Sequence, residues 1–163
     1  MDRKIRLENL KDFCQKALEA KGTRSDLAEI TARVLSETDA YGTYSHGTKN
    51  LYGYVKKAEA GGLVLNAEPK VLKEGPSFAL MDAENGLGMV ASFRAMELAC
   101  EKALDTGLAL VTVKNSTHFG AAGFYSNQAA QKGLFGIAMS NVDPNMTVPG
   151  ARGMILGNNP FSY

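Results

Sequence analysis

The strongest constraint on the fold is a change in hydrophobic periodicity between residues 62 and 70. Before this point apolar residues recur every three or four positions, which is the spacing of one buried helix face. Three helices are predicted, with inward faces formed by Leu7, Leu10, Phe13, Cys14, Ala17 and Leu18, by Leu27, Ile30 and Val34, and by Leu51, Tyr52, Val55 and Ala58. Gly22 and Gly61-Gly62 are expected to end the first and third helices, and Ser25 to cap the second.

The rest of the chain shows shorter, alternating patterns. Strands are predicted at Lys70–Glu74, Phe78–Asp82, Leu108–Lys114 and Leu134–Met139, helices at Met89–Asp105 and Gly123–Lys132, and loops from residue 140 to 163. The last two strands are apolar nearly throughout, so both faces of their sheet need cover, and a half-domain is expected to leave strand edges and apolar surface exposed. The predicted class is α+β, with a helical segment at residues 1–66 and the first part of an α+β unit at residues 67–163.

Composition excludes several classes of partner. The net charge is +1 and no cluster of Lys and Arg follows one face, so no nucleic-acid partner is predicted. No apolar run approaches the roughly 18 residues of a membrane span, and the charged N-terminus does not resemble a signal peptide. Cys14 and Cys100 lack the spacing of metal ligands, so we expect no metal site and a reducing, cytoplasmic location.

The acid–base capacity of the chain is concentrated in its two histidines, His46 and His118. Imidazole has an ordinary pKa of about 6.5, which suits proton transfer near neutrality. Each histidine follows a hydroxyl residue in a glycine-containing segment, Tyr44–Gly47 or Ser116–Gly123. A single histidine is more often a hydrogen-bonded polar residue than a catalyst. A Ser45–His46 nucleophile and base pair is disfavoured, because adjacent residues in a turn rarely face each other; an acid–base His46 beside a substrate-binding hydroxyl is preferred.

Two further segments suggest ligand contacts. Gly86–Ala91 fits a dinucleotide fingerprint between a strand and a helix, but the expected acidic residue is missing, so a turn that starts a helix is favoured. The small residues of Thr117–Gly123 permit either close approach of a ligand or close helix packing. Asn141, Asn158 and Asn159 lie in the final loops, where their amides suit a carboxamide or a ribose.

Taken in order, several motifs resemble one known family. They are Tyr44-Ser45-His46-Gly47, Tyr54 with Gly61-Gly62, Asp82 through Gly88, Thr117 through Gly123, Ser140-Asn141 and Leu156-Gly157-Asn158-Asn159-Pro160. The family is that of the malate and L-lactate dehydrogenases that lack a Rossmann fold. The resemblance implies hydride transfer between NAD or NADP and a small 2-hydroxy or 2-oxo acid. It also implies a helical domain beside an α+β nucleotide-binding domain that is not of the Rossmann type, working as a homodimer.

The resemblance also implies roles for individual residues. His46 would be the acid–base group, Ser45 a substrate contact, and His118 a second polar group near substrate and nicotinamide. The cofactor-binding residues would be Gly120, Ser140, Asn141, Asn158, Asn159 and Pro160, and the substrate-binding residues Lys49, Asn50 and Tyr52. Many members carry an arginine where this chain has Asn50, so either the substrate lacks the carboxylate that the arginine holds, or Lys49 or Lys56 replaces it.

The family pattern continues beyond the last residue of this sequence. We therefore expect an N-terminal half that pairs with itself or with a second chain carrying the remaining part. Two alternatives stay open at this point. One is a catalytically inactive remnant that binds a partner half, and the other is a module that only binds a small ligand.

Overall fold

The computed structural model describes residues 4–163 and has the predicted α+β class. The helices are α1 (Leu7–Glu19), α2 (Ser25–Ala40), α3 (Leu51–Glu59), α4 (Gly88–Thr106) and α5 (Ala122–Ala130), with short 3₁₀ turns at Tyr44–His46 and Thr48–Asn50. The strands are β1 (Lys70–Gly75), β2 (Phe78–Asp82), β3 (Leu110–Lys114), β4 (Ala138–Met139) and β5 (Phe161–Ser162). Within the described residues, no helix has the length and apolar character needed to cross a membrane.

The three N-terminal helices form as predicted, but two of their inward faces differ from the prediction. Phe13 is 63% exposed and Tyr52 is 70% exposed. In α3 the buried residues are Leu51, Tyr54 and Val55, which keep the i, i+3, i+4 spacing of one helix face. Tyr52 lies off this face, so its predicted inward position was wrong.

Helix α2 begins without the predicted serine cap. Ser25 is the first helical residue, Arg24 occupies the cap position, and no side chain caps the helix there. The Ser25 hydroxyl instead donates to Glu19 Oε1 at 2.7 Å, which ties the end of α1 to the start of α2. Gly22 adopts the left-handed conformation between the two helices, with φ of 86°, as its predicted role at the end of α1 requires.

One apolar core joins the N-terminal helices to α4 and α5. Leu27 and Val34 of α2 belong to the same buried cluster as Met89 of α4 and as Phe124 and Tyr125 of α5. Helix α2 therefore packs directly on α4 and α5. The division between residues 66 and 67 remains a prediction about domains, because the two predicted segments share this core.

The main sheet has the order β1-β2-β3, with β1 and β2 antiparallel and β2 and β3 parallel. Helix α4 connects β2 to β3 and packs against both strands. Strand β3 is covered on one face only, which agrees with the expectation that a half-domain leaves apolar strand surface exposed. Val111 and Val113 are half-buried, whereas Leu110 is 65% exposed, because α4 covers one face of the strand.

The strand predicted at Leu134–Met139 is shorter than expected. Only Ala138–Met139 pairs, antiparallel to Phe161–Ser162. The preceding residues follow α5 closely instead, and a Cβ on Gly136 would lie 2.5 Å from Ala129 Cβ and 2.9 Å from the carbonyl oxygen of Ser126. This packing keeps the backbone of the segment against the helix and away from a strand partner.

Candidate acid–base site

The fold brings the two histidines together. His46 lies in the first 3₁₀ turn after α2, and His118 lies in the loop between β3 and α5. Their ring centroids are 5.5 Å apart, with the rings tilted by 31°. Two imidazoles at this distance can contact the same small ligand.

The turn that carries His46 is fixed by the carboxylate of Asp39, near the end of α2. Asp39 Oδ2 accepts hydrogen bonds from the Thr48 backbone N–H, at 3.1 Å, and from the Thr48 hydroxyl. Gly47 lies against the same carboxylate, and a Cβ there would be 1.7 Å from Asp39 Oδ1. Asn50 Nδ2 donates to the Ser45 carbonyl at 2.9 Å, which closes the turn from the other side.

Ser45 and His46 contact each other directly. The Ser45 Oγ to His46 Nδ1 distance is 2.8 Å, so the expectation that these neighbours would not face each other was wrong. The reason is the tight 3₁₀ turn, which brings the two side chains to the same side. Because Ser45 Oγ occupies Nδ1, Nε2 is the ring nitrogen that His46 has left for a ligand.

His118 is held by a tyrosine that sequence reasoning did not assign to the site. Tyr54 Oη lies 2.6 Å from His118 Nδ1, and the two rings stack at 6.0 Å. Partial desolvation lowers the pKa of His118, which is still exposed to solvent on one side, and repulsion from His46 and Lys57 lowers that pKa further. Burial raises the pKa of Tyr54 to about 12, so its phenol stays protonated near neutrality. The available signal was the place of Tyr54, with Gly61-Gly62, among the motifs of the family resemblance, which gave this tyrosine no role at the site.

The loop that carries His118 is anchored to the start of α4. The Thr117 hydroxyl donates to the Gly86 carbonyl at 2.8 Å and accepts from the Gly88 N–H at 3.1 Å. A Cβ on Gly88 would lie 2.3 Å from the Thr117 carbonyl oxygen and 2.5 Å from that of His118. The glycine pattern of Gly86–Ala91 therefore serves close packing of this loop.

Gly120 lies where the two histidine segments meet. Its φ is 80°, a conformation that favours glycine, and its backbone N–H donates to His118 Nδ1 at 3.4 Å. A Cβ on Gly120 would lie 3.8 Å from the His46 carbonyl oxygen. The buried Tyr125 completes the support, because its hydroxyl donates to the Phe119 carbonyl.

The residues predicted to bind the cofactor, other than Gly120, lie together in a second group. The Ser140 N–H donates to the Pro160 carbonyl at 3.2 Å, the Val142 N–H donates to Asn159 Oδ1 at 3.1 Å, and the Asn158 N–H donates to Asn145 Oδ1 at 3.2 Å. Asn141, next to Ser140, is exposed. Among residues 4–163 no hydrogen bond joins this group to either histidine.

The second group is attached to α5, which starts just after Gly120. Ser162 Oγ lies 2.8 Å from Ser126 Oγ on this helix. Of the predicted substrate-binding residues, Asn50 belongs to the histidine turn, whereas Lys49 and Tyr52 are exposed beside it. The Lys56 ammonium lies 5.7 Å from the centre of the Tyr52 ring.

The candidate acid–base site is a pair of facing imidazoles, each with a hydroxyl at its Nδ1, in a mixed helix and sheet fold. A family model described as malate/L-lactate dehydrogenase matches residues 5–163. The chain belongs to this family, which confirms the resemblance indicated by its motifs.

The chain is similar to several named members of this family. It is 40% identical over 159 residues to a malate dehydrogenase of Pyrococcus abyssi, covering 98% of this chain and 44% of that one. It is 35% identical over 158 residues to an L-sulfolactate dehydrogenase of Methanocaldococcus jannaschii, covering 97% and 46%. The structure of malate dehydrogenase from Pyrococcus horikoshii superimposes with a TM-score of 0.92 at 39% identity, covering 98% and 46%. The chain thus spans somewhat less than half the length of these relatives.

Proposed function

We propose that this chain supplies the acid–base residues of an oxidoreductase that moves a hydride between NAD or NADP and a small 2-hydroxy or 2-oxo acid. The observation that carries the proposal is the 5.5 Å approach of His46 and His118. Further support comes from the names of the relatives, which are dehydrogenases of malate and of L-sulfolactate. Both names denote a small acid as the compound that is oxidised.

In this proposal His46 exchanges the hydroxyl proton of the substrate at Nε2. The Nδ1–H tautomer of His46 donates to Ser45 Oγ, and this bond makes Nε2 the free base. Ser45 thereby orients the ring, in addition to the substrate contact that the family resemblance implies. His118, whose lowered pKa favours the neutral ring, contributes a hydrogen bond to the substrate oxygen.

The polar residues of the second group suit a nicotinamide cofactor in their chemistry. The side-chain amides of Asn141, Asn158 and Asn159 and the hydroxyl of Ser140 both donate and accept hydrogen bonds, as a carboxamide and ribose hydroxyls require. We propose that these residues, with Pro160 and the backbone of Gly120, hold NAD or NADP. The bound cofactor would accept or supply the hydride, while the protein orients the reactants and handles the proton.

The substrate side is proposed to include Lys49, Asn50 and Tyr52. Asn50→Arg is expected to raise kcat/KM for simple 2-oxo acids by about 10- to 100-fold, because a charge-assisted pair with a carboxylate contributes roughly 1.5–3 kcal/mol. The measurement is steady-state NADH or NADPH absorbance with a panel of 2-oxo acids. Gln131→Arg adds the same charge at the end of α5 away from Gly120 and is the control. An unchanged substrate profile would mean that position 50 does not face the substrate.

The proposed assembly is a homo-oligomer or a complex with a second chain that carries the rest of the family fold. Large apolar side chains are exposed on and just before β3 and on and around the final strands, among them Leu108, Leu110, Phe135, Phe161 and Tyr163. Strand β3 is also at the edge of its sheet. Unpaired edges and apolar patches of this kind favour association.

Sedimentation velocity tests this prediction directly. The 163-residue chain is expected to associate at micromolar concentration, and Leu110→Lys is expected to weaken the association by placing a charge on the exposed edge. Leu7→Lys changes an exposed leucine of α1 in the same way and serves as the control. A compact monomer with a cooperative thermal transition would contradict the prediction.

We propose a cytoplasmic location because neither of the two cysteines forms a disulfide in the described structure. Cys14 and Cys100 are both free and buried. Burial, with a smaller contribution from Asp39, raises the pKa of Cys14 to about 11, so its thiol is unreactive. Buried free thiols of this kind suit a reducing compartment.

The proposed function is tested by turnover of NADH or NADPH with a panel of 2-oxo acids. One sample is the chain alone, and the other is the chain combined with the part of the Pyrococcus horikoshii malate dehydrogenase that it does not cover. Turnover in either sample supports the proposal. Binding of NADH without turnover in both samples would favour a ligand-binding module, and neither binding nor turnover would favour an inactive remnant.

A further inference from the structure

We propose that Tyr54 is a positioning residue that holds His118 in the neutral tautomer with its proton on Nε2. The Nε2–H of His118 would then be presented, at a fixed orientation, as a hydrogen-bond donor to an oxygen of the ligand. That the ligand is the 2-oxo or 2-hydroxy acid of the reaction rests on the proposed function. The tautomer itself follows from contacts within this chain.

The assignment starts from the backbone of Gly120. A backbone N–H can only donate, and that of Gly120 points at His118 Nδ1 at 3.4 Å. Nδ1 must therefore carry a lone pair, and the ring proton of neutral His118 must be on Nε2. The Tyr54 hydroxyl, 2.6 Å from the same Nδ1, must then be a donor as well.

Tyr54 is suited to this role by its position. It is 7% exposed on the inner face of α3, and its ring stacks on that of His118 at 6.0 Å. The raised pKa of Tyr54 keeps its proton available across the neutral range. Of the two contacts to Nδ1, the one from Tyr54 is much the shorter, so Tyr54 contributes most to the preference for this tautomer.

The groups around His118 also oppose its protonation. His46 faces it from the first 3₁₀ turn and Tyr54 from α3, and the positive charge of Lys57 on α3 also lowers the pKa of His118. Both His46, when charged, and Lys57 repel a second positive charge. A donor directed at Nδ1 stabilises only the neutral ring, because protonated histidine has no acceptor. Geometry and charge therefore favour the same state.

Nitrogen NMR of the chain labelled with ¹⁵N-histidine tests the proposal without cofactor or substrate. The sequence has two histidines, so two ring systems appear, and His46→Gln identifies the signals of His118. At neutral pH the Nδ1 resonance of His118 is expected to be of the unprotonated type, and Nε2 of the protonated type. The reverse assignment, or a charged ring, would overturn the proposal.

Tyr54→Phe tests whether Tyr54 is responsible. One net hydrogen bond to Nδ1 is removed, so the share of the Nδ1–H form is expected to rise about 3- to 10-fold. Tyr41→Phe is the matched control, because its hydroxyl also makes one side-chain contact, with Asn127, but at an exposed site away from His118. A Tyr54→Phe spectrum identical to that of the wild type would contradict the role of Tyr54.

A second perturbation does not depend on the folding of Tyr54→Phe. Labelling the tyrosines with 3-fluorotyrosine makes the phenol a stronger donor, so the His118 Nδ1 resonance should move in the opposite direction to that caused by loss of the hydroxyl. No change in this resonance would overturn the proposal. These spectra need no turnover, so they can confirm the tautomer of His118 even when the proposed function is wrong. Equally, turnover can confirm the proposed function even when the tautomer is wrong.

Discussion

Replacing His46 with alanine is expected to lower kcat by about 10²–10⁴-fold, the usual effect of removing a general acid–base group. In the proposed reaction His46 is the base at Nε2, because Ser45 Oγ contacts the opposite ring nitrogen, Nδ1, at 2.8 Å. His118 cannot readily replace it, since its Nδ1 accepts from Gly120 and its pKa is lowered.

The measurement separates chemistry from binding. Steady-state kcat is determined in the preparation that turns over, and the dissociation constant for NADH is determined by fluorescence titration. The dissociation constant should change little, because the proposed cofactor residues from Ser140 to Pro160 make no hydrogen bond to His46 within the described part of the chain. Ser45→Ala should lower kcat less than His46→Ala, because it leaves the base in place. A His46→Ala variant with nearly full kcat would refute the assignment.

Hydrophobic periodicity was sufficient to predict the helices but not the exact inward face of each one. In α3, Leu51, Val55 and Ala58 fit a helical face with either Tyr52 or Tyr54 beside them. The structure buries Tyr54 and exposes Tyr52. A tyrosine has an apolar ring and a polar tip, so hydropathy alone does not decide which of two nearby tyrosines packs inward.

The environment of the strands was harder to predict, because the burial of a strand depends on whether other elements cover one or both faces of its sheet. Leu110–Lys114 is apolar enough for a strand covered on both faces, yet α4 covers only one face in the described structure. Leu134–Met139 has a similar composition, but its first part follows α5 and only two of its residues pair. Local sequence favours an extended chain in both places and does not specify what packs against it.

The candidate site was predicted where its residues occur in short motifs and missed where it depends on distant contacts. Ser45, His46 and His118 stand beside glycines in recognisable segments, which drew attention to them. Asp39 and Tyr54 lie within helical patterns, where an acidic residue usually faces solvent and an aromatic residue usually serves the core. Their contacts to Thr48 and to His118 arise only from the packed fold.

Gly88→Ala is expected to lower the free energy of unfolding by about 1–3 kcal/mol or more, as overpacking in a close-packed interior usually does. The new methyl group would meet the carbonyl oxygens of Thr117 and His118, at 2.3 and 2.5 Å. These are backbone atoms, so relief requires the whole His118 loop to move, whereas a flexible side chain would only rotate away. The change would also strain the bond from the Gly88 N–H to the Thr117 hydroxyl.

Gly53→Ala provides a matched control with the opposite expected sign. Gly53 lies within α3, and a Cβ there would have no atom within 4 Å. The same substitution should therefore stabilise the protein by about 0.5–1 kcal/mol, because alanine is the better helix former. Urea unfolding at one fixed protein concentration measures both variants, since association also affects apparent stability.

The two variants together separate packing from helix propensity. Both glycines are helical, so propensity alone predicts that each alanine stabilises. A loss of stability in Gly88→Ala, together with a gain in Gly53→Ala, would indicate that the His118 loop and not helix propensity decides the effect at Gly88. The ¹⁵N signals of the His118 ring should then shift in Gly88→Ala and stay unchanged in Gly53→Ala. If Gly88→Ala were as stable as the wild type with unchanged His118 signals, the loop would not be anchored at the start of α4. The positioning of His118 would then need another explanation.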